Sequence, residues 1–276
     1  MLRKYKPFLK AGAMNAFAYR AAIFTWLGIA FLQILCVVFL WNAVYKNSPD
    51  GADSVINGFT FKEMIVYTVL VNIFGFATLG GDTLFIINED IKKGTIDLAF
   101  TKPISYRLRL MSENLGNFFA VNIMVGIPGF LIAFIVFGAI GYIMVTPLNL
   151  ILGIILFLIA QLIANLLNDT ISYICGILCF YTSSGWGINQ AKEVIVNFLS
   201  GRLLPLAFFP GLFGIIISYL PFAGISYYPV LILIGKVDLL TSIHYVGFSL
   251  TWLIILNIFA KLLFNHASKK ITVQGG

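Results

Sequence analysis

The feature that most constrains the fold is a run of 55 residues, 114–168, without one acidic or basic side chain. A membrane-spanning helix needs roughly 20 apolar residues, because the hydrocarbon core is about 30 Å thick and each helical residue rises about 1.5 Å. One helix cannot use up this run, so it must hold two spans and a turn. Thr146 and Pro147 predict the turn, with Thr146 as the N-cap and Pro147 as the first residue of the second helix.

The composition agrees with a chain that lies mostly in a lipid bilayer. Hydrophobic residues make up 60% of the 276 residues and charged residues 11%, against roughly 45–50% and 25% in soluble domains. Such a chain cannot cover a water-facing surface with polar side chains. The three cysteines lie in apolar segments, which favours a packing role over a metal or redox site.

We predict an all-α integral membrane protein with six transmembrane helices, an N-terminal amphipathic interfacial helix and a re-entrant hairpin between helices 5 and 6. The predicted segments of this single domain are an interfacial helix within 1–20, spans at 21–44, 64–87, 117–143, 148–182, 194–211 and 239–260, a loop at 88–113, a re-entrant segment at 212–235 and a tail at 261–276. We expect the fourth span to break near Asp169 and the fifth to contain Arg202.

The re-entrant segment is predicted from prolines in an apolar stretch. Residues 203–235 carry no acidic or basic side chain, but they include Pro205, Pro210, Pro221 and Pro229. Each proline removes a backbone donor, and what remains is too short and interrupted to cross the bilayer twice. Non-helical backbone at membrane depth is tolerated where it is buried in protein or lines a cavity.

The basic residues predict the orientation of the bundle. They concentrate before the first span, in the 88–113 loop and after the sixth span, whereas the alternate loops hold only Lys46, Lys62 and Lys236. The positive-inside rule then places the basic segments and both termini in the cytoplasm, in a multi-pass protein of the cell membrane. The net charge of +7 fits contact with anionic lipids and is no argument for nucleic-acid binding.

Two segments resemble a known family. The run GTIDLAFTKPIS, within the 88–113 loop, is similar to the cytosolic coupling loop of ABC-2 type permeases. FLSGRLLPLAFFPGL, followed by ISYLPF, resembles the fifth span and re-entrant hairpin of that family. The stretch Ala18-Tyr19-Arg20 resembles the branch of daunorubicin-type and other multidrug or peptide exporters. The resemblance covers the whole chain in order.

The resemblance implies the membrane subunit of an ATP-driven exporter, forming half of the pathway for an amphipathic or apolar cargo such as a drug, peptide or lipid. The chain has no G-x-x-x-x-G-K-[ST] loop, so it is expected to be neither an enzyme nor a holder of cofactors. ATP and Mg²⁺ would bind a separate ABC ATPase subunit, present in two copies, beside a second permease chain that is the same or different.

The resemblance and the residue pattern together mark candidate residues. In the 88–113 loop apolar residues alternate with charges, a glycine permits a turn and a proline would end a helix. The residues expected to couple to the ATPase subunit are Glu89, Asp90, Gly94, Thr95, Asp97 and Pro103. Those expected along the translocation pathway are Asp169, Arg202, Pro205, Pro210 and Pro221.

Other classes of function stay open at this point. An ion-coupled secondary transporter would use Asp82, Asp169 and Arg202, because charges inside a membrane are expensive and default to functional roles. Each also has a structural interpretation, and Arg202 would pair with Asp169 if the fold brings them together. An intramembrane enzyme is disfavoured, because His244 and His266 are 22 residues apart and a G-x-S-x-G motif is absent. Nothing positive suggests a purely structural membrane protein.

Overall fold

The computed structural model describes residues 2–49, 51–79, 83–96, 103–139, 141, 147–182 and 184–270. The helices are α1 (Lys6–Ala18), α2 (Arg20–Lys46), α3 (Phe61–Leu79), α4 (Thr83–Lys92), α5 (Tyr106–Val121), α6 (Ile127–Ala139), α7 (Pro147–Leu178), α8 (Gly185–Leu199), α9 (Gly211–Ser218), α10 (Tyr227–Leu233) and α11 (Leu239–Ala267). Strands β1 (Val55–Ile56) and β2 (Phe59–Thr60) form an antiparallel ribbon. Short 3₁₀ turns lie at Leu2–Lys4, Gly51–Asp53, Leu206–Phe208, Pro221–Gly224 and Ser268–Lys270.

Within the described ranges, four helical segments are long and apolar enough to cross a bilayer. They are Arg20–Lys46, Tyr106–Ala139, Ile151–Leu178 and Leu239–Ala267. The second of them joins α5 to α6 through a π-helical turn. The prediction of an all-α membrane protein is therefore confirmed, whereas six spans and a re-entrant hairpin stay a prediction.

The fourth predicted span contains no break. Helix α7 continues through Asn168, Asp169 and Thr170 to Leu178. Asn168 donates a hydrogen bond to the backbone carbonyl of Thr78 at 3.1 Å, and the next two side chains contact an arginine of α5. Thr170 also donates to the Leu166 carbonyl one turn earlier at 2.7 Å, a bond that a continuous helix accommodates. With partners on neighbouring helices, these side chains do not break α7.

The fifth predicted span is shifted along the chain. Helix α8 ends at Leu199, so Arg202 follows a helix instead of lying inside one. Gly201 has a left-handed φ of 81°, a conformation that ends helices and favours glycine. Its carbonyl accepts a hydrogen bond from the Tyr67 hydroxyl at 2.6 Å. This contact with α3 fixes the chain reversal.

The region predicted to be re-entrant consists of two short helices joined by the turn at Pro221–Gly224. Helix α10 is buried along its whole length except at Tyr227, which is half-buried, and it packs against α7. Helix α9 instead leaves apolar side chains exposed, Leu212 by 71%. An apolar helix that protein does not cover is typical of a lipid-facing surface.

The N-terminal helix packs against α5 with backbone touching backbone. A Cβ on Gly12 of α1 would overlap the carbonyl oxygen of Glu113, and a Cβ on Gly116 of α5 would overlap that of Leu9. Small residues of this kind let membrane helices approach closely. The Ser105 amide also donates to the Tyr5 hydroxyl at 2.9 Å. Helix α1 is therefore fixed to α5.

The bundle has two chemically different ends. The end that holds the starts of α1 and α5 also holds the end of α11, as the stacked rings of Tyr106 and Phe264 show, with centroids 6.0 Å apart. We call it the basic end, because the chain segments that meet there are the ones rich in lysine and arginine. The opposite end holds the β-ribbon and the turn before α11, joined by an ion pair of 2.6 Å between Lys236 and Glu63.

Candidate functional site

A buried ion pair lies where α4, α5 and α7 meet near the basic end. The Asp169 side chain on α7 has no exposed surface, and one of its oxygens lies 2.6 Å from a guanidinium nitrogen of Arg107 on α5. Its other oxygen accepts a hydrogen bond from the Thr83 hydroxyl of α4. Both carboxylate oxygens thus have partners on different helices, so the pair ties three helices together.

Arg107 extends this network toward α11. Its second terminal nitrogen donates to the Thr170 hydroxyl at 2.8 Å, which also accepts from the Asn257 amide of α11 at 3.2 Å. The guanidinium lies 4.7 Å from the ring centroid of Tyr173, a cation–π contact. Because one arginine and one aspartate are involved, the network is electrically neutral.

A second cluster centres on Asp90, two residues before the end of α4. One oxygen of Asp90 accepts from the Thr95 hydroxyl at 2.8 Å, and the other accepts from the Tyr106 hydroxyl at 2.8 Å. Arg109 lies 3.7 Å from the same carboxylate. Gly94 has a φ of 68°, which the turn requires. Asp90 therefore closes the turn after α4 and attaches it to the first turns of α5.

The remaining residues predicted to couple to an ATPase do not join this cluster. Glu89 is exposed and pairs with a lysine one turn later at 3.0 Å. Pro103 is also exposed and lies two residues before Ser105, which N-caps α5. Asp97 lies outside the described residues, as does Asp82 of the ion-coupled alternative. The roles predicted for these four residues stay predictions, as do the coupling roles of Asp90, Gly94 and Thr95.

Arg202 does not pair with Asp169, which binds Arg107 instead. One terminal nitrogen of Arg202 donates to the Asn197 side chain at 3.2 Å. Its Nε is buried and has no hydrogen-bond partner among the described residues. The guanidinium faces α3 at Gly75, where a Cβ would come within 3.3 Å of that Nε. The glycine thus makes room for the arginine.

The three prolines expected along the pathway each mark the start of a helical segment. Pro205 is buried and precedes a 3₁₀ turn, Pro210 is exposed and precedes α9, and Pro221 is buried and opens the next 3₁₀ turn. Their fixed φ and missing amide suit these positions. This local role explains their presence, and their place along the pathway stays a prediction.

Arg202 lines a groove that has a volume of about 690 Å³ and lies between α2 and the helices α3, α5 and α8. At the basic end it adjoins a cavity of about 310 Å³, and the two share Asn15 and Asn117. On its other side it adjoins a cavity of about 280 Å³, with which it shares Gln33 and Arg202. We call these three adjoining cavities the α2 groove. Its central cavity follows the inner side of α2, whereas the cavity at the basic end lies between α1, α4 and α5. Amide side chains line all three cavities.

Sequence reasoning missed the partners of the predicted acids. Arg107 was counted only as a basic loop residue, and Thr83 and Tyr106 were not considered. A signal was available for Arg107, because an acid in a long apolar run needs a cation nearby. The choice among several arginines requires the fold, since Arg107 and Asp169 are 62 residues apart.

A family model described as ABC-2 family transporter protein matches residues 31–275 of the chain. The match includes the Asp90 cluster, the Arg107–Asp169 pair and Arg202. Searches of the curated proteins and of the solved structures find no match.

Proposed function

This chain belongs to the ABC-2 family of transporters, and we propose that it is the permease subunit of an ATP-driven exporter. It would form half of the translocation pathway, beside a second permease chain that is the same or different. Two copies of a separate ATPase subunit would bind ATP and Mg²⁺, since the sequence has no phosphate-binding loop. The basic end would face the cytoplasm, where this subunit is found.

The observation that carries the proposal is the attachment of the turn after α4 to α5 through Asp90. A segment that transmits force must be fixed to the helices it moves, and Asp90 accepts hydrogen bonds from both Thr95 and Tyr106. The same two helices are tied to α7 by Thr83, Arg107 and Asp169. A displacement of the turn would therefore move α4, α5 and α7 together.

The geometry favours this function over an ion-coupled carrier. A carrier residue must exchange its proton or metal ion with solvent, whereas both oxygens of Asp169 are occupied by Thr83 and Arg107. Arg202 and Asp169 have different partners and do not form a joint site. The cargo we propose is amphipathic or apolar.

The proposal predicts that an ABC ATPase co-purifies with the tagged chain and hydrolyses ATP faster in the complex. Gly94→Val should abolish the stimulation while leaving membrane insertion intact. Its φ of 68° strains any L side chain by about 1–2 kcal/mol, although a Cβ would meet nothing within 4 Å. The expected defect therefore comes from the backbone of the turn alone.

Gly58→Val is a matched control for this experiment. Gly58 has a φ of 81° and equally open surroundings, but it lies in the β-ribbon at the opposite end. We expect this variant to keep normal stimulation. Normal stimulation in Gly94→Val would exclude the turn as the coupling element, and failure of any ATPase to associate would contradict the permease assignment.

A further inference from the structure

We propose that the α2 groove binds an amphiphile bearing an anionic group, drawn from the bilayer, and that Arg202 contacts that group. This inference rests on the proposed function and deepens it, because it names the chemical class of the cargo. It is carried by the charge of the groove, by an unused donor and by the exposure of α2.

Among the described residues that line the α2 groove, Arg202 is the only cation, and each of the two acids there has a cationic partner of its own. Glu113 lies 3.4 Å from a guanidinium nitrogen of Arg109. The Glu193 carboxylate lies 2.9 Å from the ammonium of Lys192. That ammonium is buried and donates to the Ser172 hydroxyl at 3.1 Å as well. Arg202, by contrast, has only the neutral Asn197 as a described hydrogen-bond partner. An anionic group in the groove would therefore bind at Arg202.

Arg202 has donors left for such a group. A guanidinium offers five N–H donors, and the structure assigns a described partner to one of its nitrogens, with Nε buried and unpaired. A buried donor without a partner is unfavourable, and an anionic oxygen forms shorter and stronger hydrogen bonds with a guanidinium than a neutral acceptor does. A phosphate or carboxylate headgroup would give Nε a hydrogen-bond acceptor, and that acceptor would be an anionic oxygen.

Helix α2, which forms one wall of the groove, is exposed, so a lipid in the bilayer can reach the groove beside it. All residues of α2 are described, and only Trp41 and Tyr45 of them are buried. Along the groove, Trp26 is 60% exposed and Ile29 is 50% exposed. Phe76 of α3 lines the facing wall. The groove thus offers apolar side chains for an acyl or ring system and an arginine for its charged end. Its central cavity of about 690 Å³ has the usual volume of a ligand site.

The test measures Trp26 fluorescence in phosphatidylcholine vesicles that contain rising fractions of dibrominated phosphatidylglycerol or dibrominated phosphatidylcholine. Bromine quenches a neighbouring indole, and subtracting the signal of Trp26→Phe isolates Trp26 without altering the buried Trp41. We expect phosphatidylglycerol to bind about tenfold more tightly than phosphatidylcholine, because the choline ammonium offsets the charge of the phosphate that Arg202 would contact. Arg202→Gln should remove this preference, and Arg202→Lys should retain part of it.

Arg20→Gln is the matched control, because it removes one positive charge at the start of α2, outside the groove. It should keep the preference that Arg202→Gln loses. Loss in Arg20→Gln alone would place the lipid at the membrane surface and overturn the inference. Equal quenching by both lipids would also overturn it, and so would no quenching by either, which would mean that a second copy of the chain covers the groove.

Two further measurements separate the source and the role of the ligand. Millimolar inorganic phosphate should not displace phosphatidylglycerol from the groove. Displacement would contradict entry of the ligand from the bilayer. Phosphatidylglycerol should stimulate the ATPase of the wild-type complex but not that of Arg202→Gln, and binding without stimulation would contradict the cargo role. The quenching experiment needs no ATPase, so this inference can fail while the permease assignment stands.

Discussion

Replacing Arg107 by methionine should destabilise the folded chain by about 3–5 kcal/mol, because the carboxylate of Asp169 then stays buried without its cation. The Asp169 side chain is 0% exposed and that of Arg107 is 16% exposed, so little water is at hand to replace the guanidinium. One hydrogen bond, from the Thr83 hydroxyl, would remain on the carboxylate. The methionine replaces the apolar stem of the arginine and removes its charged end.

The double variant Arg107→Met with Asp169→Leu should be more stable than Arg107→Met alone. Both charges are then gone, and the main loss is the acceptor of the Thr83 hydroxyl, which costs about 1–3 kcal/mol. SDS-induced unfolding in mixed micelles, followed by intrinsic fluorescence, measures the free energies of a full double-mutant cycle. The same cycle on the exposed pair of Glu89 and Lys93, 66% and 63% exposed, should give a coupling of at most about 0.5 kcal/mol.

Two results would refute this reasoning. If Arg107→Met cost less than about 1 kcal/mol, the carboxylate of Asp169 would have to be hydrated despite its burial. If the double variant lost as much stability as the two single variants together, the two side chains would act independently. In either case the pair would not tie α5 to α7.

Two further predictions concern orientation and helix contact. In a cysteine-free background, a cysteine at Ser48 should react with an impermeant maleimide on intact cells and one at Thr95 should not; labelling at Thr95 would reverse the orientation. Gly12→Ala should lower the unfolding temperature because its Cβ would overlap a backbone carbonyl, whereas Gly28→Ala, with nothing within 4 Å, should raise stability by up to about 1 kcal/mol. An unchanged unfolding temperature in Gly12→Ala would contradict the close contact.

Apolar runs were sufficient to predict the four helices that are long and apolar enough to cross a bilayer, because a helix in lipid must satisfy its backbone internally and needs a fixed length. The end of α8 was not predictable in the same way. It depends on Gly201 and on a hydrogen bond from Tyr67, 134 residues away. Distant contacts of this kind leave no periodic pattern in the sequence.

In the candidate site, too, contacts between residues close in sequence were predictable and contacts between distant residues were not. Asp90, Gly94 and Thr95 were predicted together because they are close in sequence, and the structure joins them in one turn. The partner of Asp169 was not identified, because Arg107 becomes its neighbour only when α5 packs on α7. Local chemistry was readable from the sequence, and pairing between helices was not.

The unbroken helix α7 relates the ion pair to the thickness of the bilayer. Its 32 residues extend about 48 Å, well beyond a hydrocarbon core of about 30 Å. Asp169 follows Pro147 by 22 residues, or about 33 Å. With the first turn of α7 at one boundary of the core, Asp169 reaches the other boundary and not the midplane. Longer acyl chains would draw the pair into hydrocarbon, and shorter ones would leave it among hydrated headgroups.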